Sequence, residues 1–461
     1  MMTILHGATV VTSLDPAEVM TADIVVDGDR IAAIDSSAPA DLGATVIDCL
    51  GCLVLPGNVD AHTHVYSALA RGMPYELAAP RSFVEILRRI WWRLDRALDE
   101  ASIRASARVA GMEALLAGTT TLVDHHASPH AIDGSLDILA EELGRLEVRA
   151  VLAYEVTDRD GPAAARAGSE ENRRFLGRVA AGDLPLTRAL VGAHASFTLS
   201  DSTLEACVDL ARSSGRGLHV HVAEDAADER AAEAEHGVRV LERLARAGAL
   251  DPPPLLAHGV HLDRAEAALF RASGATLVHN PRSNMNNAVG RAPIGLLGSR
   301  VALGTDGIGA DMFEESRTGY LRLLEERATG AASTNDEANP ARPAWPLAGL
   351  AAGARFVGEV FGEPSLGRIE PGAPADLVVL DYHAPTPLTA ATLAGHWTFG
   401  LSARWVRDVM TAGRIVVRDR RLVTADPKEI AVEGRLAATR LWERLAAIGE
   451  HPYALDEVPV E

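Results

Sequence analysis

Lysine is all but missing from this chain of 461 residues: Lys428 is the only one, and every other basic side chain is arginine. Any chemistry elsewhere in the chain must therefore proceed without a lysine. Cysteine is scarce too. Cys49, Cys52 and Cys207 are too few, and odd in number, for a disulfide framework, which fits a reducing compartment. Cys49 and Cys52 form a CxxC, but no second pair exists to complete a zinc ribbon. The stretch "VIDCLGCLVLPG" reads as strand, glycine turn, strand, which is not a thioredoxin-like redox context, so a structural role is expected. No apolar run approaches the ~20 residues a bilayer requires, and "MMTILHGATVV" reads as a strand instead of a leader. Positive charge is short as well: 44 basic against 63 acidic side chains leave −19. That field repels phosphate backbones and anionic lipid, so neither nucleic acid nor a membrane is expected as a partner, and the protein is expected in the cytoplasm.

What is abundant is apolar material, 48% of residues, enough for one large α/β domain and a smaller one. Residues 1–56 alternate in the manner of short strands. From 57 to 365 apolar runs of four to eight residues alternate with helical periodicity: "GNVDAHTH", "TTTLVDHH", "RAVLAYEV", "RALVGAHASF", "GLHVHVAE", "PPLLAHGV", "ATLVHNP" and "VALGTDG". Eight β/α units predict a closed (β/α)8 TIM barrel in preference to an open doubly wound sheet. Short strands return over 366–426, so the two chain ends are expected to pair into one composite β-sandwich. Residues 427–461 are expected to form a C-terminal helix and a polar tail, and "DEANPARPAWP" reads as a loop.

The polar residues sit where the barrel runs end, at the mouth where this fold places chemistry. On a strand, residues two apart face the same side, so His62 and His64 can approach one ion together, and later strand ends add His221, His258 and Asp306. Histidines with one carboxylate suit Zn2+ or Fe2+ and leave room for a water. Blander assignments compete: core histidines for His62 and His64, a helix N-cap for Asp306, and a first-turn helix acid for Glu224. His219 faces inward below His221, and barrel filling is expected of it. The run "EDAADERAAEAEH" is expected to be a solvated helix face, and Trp91 and Trp92 to pack the first helix.

"PGNVDAHTH", "HVAE", "AHGVHL" and "GTDG", in this order, resemble the amidohydrolase superfamily, in its branch of cytosine, guanine and triazine aminohydrolases. "YSALARGM", "WWRLDRALD", "YEVTDRDGP" and "VHNPRSNMNNAVG" are similar to aminohydrolases associated with selenium and purine metabolism. The likeness runs from about 50 to 320. It implies a barrel with one divalent metal ion, Zn2+ before Fe2+, held by His62, His64, His221 and Asp306. It also implies Glu224 as proton shuttle and His258 beside the ion, at the water or the substrate. Binuclear relatives bridge two metals through a carboxylated lysine, which Lys428, in the expected C-terminal helix, excludes here. A homodimer is also implied.

The expected reaction is hydrolytic deamination of an amino-substituted heterocycle, a purine, pterin, pyrimidine or triazine, by metal-bound hydroxide, with Glu224, His258 and Asp306 as catalytic groups. His125, Arg159, His194 and His279 are candidate substrate contacts. Tyr66, Met73, Phe83, Trp91 and Phe197 are candidate walls of a flat pocket, and Arg71 and Arg159 have either a substrate or a structural role. A cyclic amidase or hydrolytic dehalogenase would use the same centre. A metal-binding partner of a selenium or molybdenum enzyme, without turnover, is the other alternative.

Overall fold

A computed structural model describes residues 2–35, 43–328 and 345–453. The alternating N-terminal segment forms β1 (Met2–Leu14), β2 (Ala17–Asp27), β3 (Arg30–Asp35), β4 (Thr45–Asp48) and β5 (Leu53–Pro56). The apolar runs that follow form β6 (Asn58–Thr63), β7 (Thr119–His126), β8 (Arg149–Tyr154), β9 (Thr187–Ala189) and β10 (Val191–Ala195). They continue as β11 (Leu218–Val222), β12 (Leu255–His258), β13 (Thr276–His279) and β14 (Val301–Leu303). β15 (Leu377–Leu380), β16 (Val406–Thr411), β17 (Arg414–Arg418) and β18 (Arg421–Leu422) complete the set.

β6 to β9 pair in parallel as one arc and β10 to β14 as another. β9 and β10 are one strand interrupted at Leu190, so the eight expected strands are all present. Parallel bridges between Val156 and Ala193 and between Thr63 and Asp306 join the arcs into the barrel. The second seam is dense. The Thr305 and Asp306 amides donate to the His62 carbonyl at 3.0 and 2.9 Å, and the His64 amide donates to the Asp306 carbonyl at 3.2 Å. The barrel is therefore closed by the same short segments that carry the HxH and the strand-eight aspartate.

Strand alternation decides what faces where. Val59 and Ala61 of β6 pack outward on the helix Trp345–Phe361, and Leu218, Val220 and Val222 of β11 pack outward on the surrounding helices. Each buried aliphatic contributes about 1.5–3 kcal/mol, which fixes the register that turns Asp60, His62, His219 and His221 inward. The helices begin where their caps lie: Asp99 and Ser102 form a capping box for Glu100–Leu116, Ser200 caps Asp201–Ser214, and Asp263 with Glu266 boxes Arg264–Ser273.

The chain ends share one nine-stranded sheet, in which β15 runs antiparallel to both β5 and β16, with Leu377 opposite Pro56. It curls around a core that takes Leu5, Ile24, Ile31, Val54 and Val379 from both ends, and Arg30 of β3 bridges back to Pro374. Cys49 and Cys52 are buried there as free thiols, and burial pushes the Cys49 thiol up to about 12, which suits the structural role expected of the CxxC. The helix Pro427–Ala446 lies on Glu100–Leu116, with Trp442 Nε1 donating to the Leu69 carbonyl at 3.0 Å. Of "DEANPARPAWP", residues 336–344 lie outside the described residues; Trp345 and Pro346 open a helix instead of ending a loop. The tail after 453 also lies outside the described residues. Among the described residues no helix is long and apolar enough to cross a membrane.

Candidate active site

His62, His64, His221 and Asp306 converge at the barrel mouth, with one donor atom from each lying within 4.8 Å of all the others. His64 Nε2 is 3.2 Å from His221 Nε2 and 3.1 Å from Asp306 Oδ1, and His62 Nε2 is 3.4 Å from the same oxygen. Tetrahedral ligands about 2.0–2.1 Å from one ion stand roughly 3.3 Å apart, so these spacings fit the edges of a single-ion cage. Asp306 is no helix cap; Asp311 caps the next helix by accepting from the Phe313 and Glu314 amides.

The second layer settles which nitrogens are free. His64 Nδ1 is 2.6 Å from the His125 carbonyl and His221 Nδ1 is 2.9 Å from the His194 carbonyl. A carbonyl only accepts, so both Nδ1 atoms carry hydrogen and the two Nε2 atoms face each other across 3.2 Å. Such a pair is unfavourable in a buried site unless a cation or a proton lies between. His62 Nδ1 meets His219 Nε2 at 2.8 Å, while the buried His62 Nε2 has no hydrogen-bond partner among the described residues. The residues therefore fit a divalent metal ion. His219, expected as barrel filling, instead holds His62 in place.

Ala223, His258 and Asp306 have φ of 48°, 73° and 56°, left-handed values costly for residues with a Cβ. All three follow or end barrel strands, and the strain aims neighbouring side chains into the mouth. His258 Nδ1 is 2.8 Å from Asn284 Oδ1, and its Nε2, buried and without a hydrogen-bond partner, lies 3.5 Å from Glu224 Oε2. Glu224 precedes the helix Ala226–His236, whose cap is Asp225, so it is not a first-turn helix acid. Asn287 Nδ2 donates to its Oε1 at 3.4 Å. Burial, then the neighbouring Asp306 charge, pushes the Glu224 carboxyl well above the usual range. Burial would also raise Asp306, but its contacts with His62 and His64 prevail and hold it well below. Ser283 Oγ bonds its other oxygen.

A cleft opens over these groups, walled by Tyr66, Phe83, Trp91, Trp92 and Phe197. Met73 is not in this wall and packs against the main core. The expected packing role of Trp91 and Trp92 is only half of theirs, since both also face the cleft. His194 reaches the cleft, with Nδ1 2.6 Å from Thr198 Oγ1. His125 and His279 do not; both are buried, His125 beside His64 and His221 with Nδ1 3.4 Å from Glu155 Oε2, and His279 near Trp345. Arg159 lies one layer back, donating to Asp95 at 2.6 Å and Glu155 at 2.7 Å, and those two carboxylates face the cleft in its place. Arg71 pairs with Glu113 at 2.7 and 2.8 Å. The acidic run after Glu224 is only partly solvated: Asp228 is buried and takes the Ala223 and Phe197 amides, and Glu229 takes the Val240 amide. Ser283, Asn284, Asn287 and Glu155 are site residues that sequence reasoning did not single out.

The sequence matches the amidohydrolase family over residues 53–416. A 5-methylthioadenosine/S-adenosylhomocysteine deaminase of Halobacterium salinarum is 34% identical over 440 residues, covering 93% of this chain and 95% of that one. A 5'-deoxyadenosine deaminase of Methanosarcina mazei is 28% identical, covering 96% and 99%. Among solved structures, an adenosine deaminase from Xanthomonas campestris with bound zinc aligns with a TM-score of 0.81 at 25% identity, covering 95% of this chain and 98% of that one.

Proposed function

The chain belongs to the amidohydrolase family, as a hydrolase of carbon–nitrogen bonds, and we propose that it deaminates the adenine ring of a 5'-modified nucleoside. The observation that carries this reading is the cage of His62, His64, His221 and Asp306 with Glu224 and His258 beside it, under a cleft with aromatic walls. The deaminase relatives support adenosine derivatives over the wider set of heterocycles.

His62, His64, His221 and Asp306 would hold the ion, with zinc favoured by the three imidazoles and by the zinc-bound deaminase of the same fold. Such an ion acidifies a water molecule toward neutral pH. Glu224 takes the water proton and delivers it to the ring nitrogen beside the reacting carbon, a task suited to a carboxyl whose pKa is pushed up. Asp306 orients the attacking oxygen. His258, whose Nδ1–H is turned to Asn284 Oδ1, presents its Nε2 lone pair as an acceptor for a hydrogen of the attacking water. A carbon–oxygen bond forms, the second hydrogen of the attacking water passes from the new hydroxyl to the exocyclic nitrogen, the bond from that nitrogen to the ring carbon breaks, and ammonia leaves.

Among the described lining residues there is no arginine or lysine to pair with a substrate carboxylate. This favours an uncharged 5' end, as in 5-methylthioadenosine or 5'-deoxyadenosine, over the carboxylate of S-adenosylhomocysteine. Zinc-loaded protein incubated with these three, adenosine, guanine, cytosine and a triazine should release ammonia fastest from the two uncharged 5'-modified nucleosides. Ammonia from guanine, cytosine or the triazine alone would refute the reading.

A further inference from the structure

Past the C-terminal helix, the chain turns back over the wall of the cleft. The buried Arg93 guanidinium donates to the carbonyls of Leu445 and Ile448 at 3.0 and 2.8 Å, and Glu450 meets Arg88 at 3.2 Å and Arg89 at 3.1 Å. His451 and Arg88 are joined twice, amide to carbonyl at 2.9 Å and Arg88 Nε to the His451 carbonyl at 3.0 Å. All three arginines lie on the helical segment Phe83–Ala97, which contains a π-helical turn, Leu87–Trp91, and supplies Phe83, Trp91, Trp92 and Asp95 to the cleft. The buried His451 ring sits 5.3 Å from the Trp92 ring and the Tyr453 ring 5.7 Å from it. Tyr453 Oη then reaches the adjoining wall and donates to the Phe197 carbonyl at 2.7 Å.

We propose that Glu450–Tyr453 is a strap across two walls of the cleft, with His451 and Tyr453 acting as positioning residues that set how tightly the cleft grips the part of the substrate that does not react. The indole Nε1 of Trp92 is buried and has no hydrogen-bond partner among the described residues, so its orientation comes from packing. Of the four rings around it, His194, Phe197, His451 and Tyr453, two belong to the strap. Edge-on aromatic contacts of this kind carry orientation as well as area. Among the described residues, none of the strap's hydrogen bonds, ion pairs or ring contacts falls on a metal-cage side chain, so loosening it should act on substrate retention before chemistry. The inference rests on the cleft being the substrate pocket of the proposed deaminase.

Its test uses the full chain, zinc-loaded, as Tyr453→Phe and as the double variant His451→Ala/Tyr453→Ala. Removing only the hydroxyl should raise KM about threefold, the worth of one hydrogen bond. Removing both rings should raise it roughly tenfold or more, with kcat within about threefold and zinc content unchanged. An unchanged KM in the double variant, or kcat and zinc falling together, would overturn the strap. Hydrogen exchange separates this from the functional reading. If the wild type releases no ammonia from any nucleoside, that reading fails and exchange alone decides. Faster exchange over Phe83–Ala97 and Ser196–Thr198 in the double variant, with Asn58–Thr63 unaltered, supports the strap; unaltered exchange in both walls refutes it.

Discussion

His62 Nδ1 stands 2.8 Å from Nε2 of His219, two residues brought together across the barrel from β6 and β11. The contact fixes the ring orientation that turns His62 Nε2 toward Asp306. Partners of this kind are worth 10–100-fold in metal affinity. His219→Ala should therefore weaken zinc binding by about that factor while leaving the fold intact, measured by competition with a chromogenic chelator. Wild-type affinity would show that His219 only fills space.

Metal binding should be coupled to proton release. Burial lowers His62 to about 4 and His221 well below the imidazole range; burial also opposes a charged His64, but Asp306 prevails and lifts it to about 10. His64 is thus the imidazole that carries a proton at neutral pH, and an ion must displace it. A group protonated in the free site and not in the bound one makes affinity rise with pH, about tenfold per unit until the pH passes the pKa of His64. Competition titrations at pH 6.5, 7.5 and 8.5, corrected for the chelator, should show that slope. A flat profile would contradict it.

Glu224→Gln keeps the shape of the side chain and removes its titration. Turnover should fall by about 10²–10⁴ with zinc content unchanged. Near-normal ammonia release from this variant would remove Glu224 from the proposed mechanism.

Gly192 tests the barrel seam. A Cβ there would lie 2.2 Å from the Tyr154 carbonyl oxygen, a backbone atom that cannot rotate away. Gly192→Ala should cost about 1–3 kcal/mol, toward the upper end, and lower the thermal midpoint by several degrees. An unchanged midpoint would mean that the arcs meet differently at β8 and β10.

The main outline was legible because a parallel barrel turns period-two alternation into geometry: His62 and His64 must share a face, and strand ends must meet at the mouth. His219 obeys the same rule, but periodicity says only that it faces inward. Its bond to His62 depends on registers set 157 residues apart. Ser283, Asn284 and Asn287 sit on and just after the short helix Pro281–Asn286, and nothing local says which way that helix turns. Arg159 looked like a ligand contact because an isolated arginine gives no sign of the carboxylates that will meet it; Asp95 arrives from another element altogether. Asp228 and Glu229 were buried by backbone amides seeking acceptors, a demand that composition does not display.

The central claim is that one ion is held by side chains from three barrel strands: His62 and His64 at the end of β6, His221 on β11 and Asp306 just past β14. Anomalous diffraction at the zinc edge, from crystals of the zinc-loaded protein, tests it most directly. The account predicts one peak per chain, bounded by Nε2 of His62, His64 and His221 and by the Asp306 carboxylate. Two peaks within the mouth, or a peak away from these four residues, would contradict it.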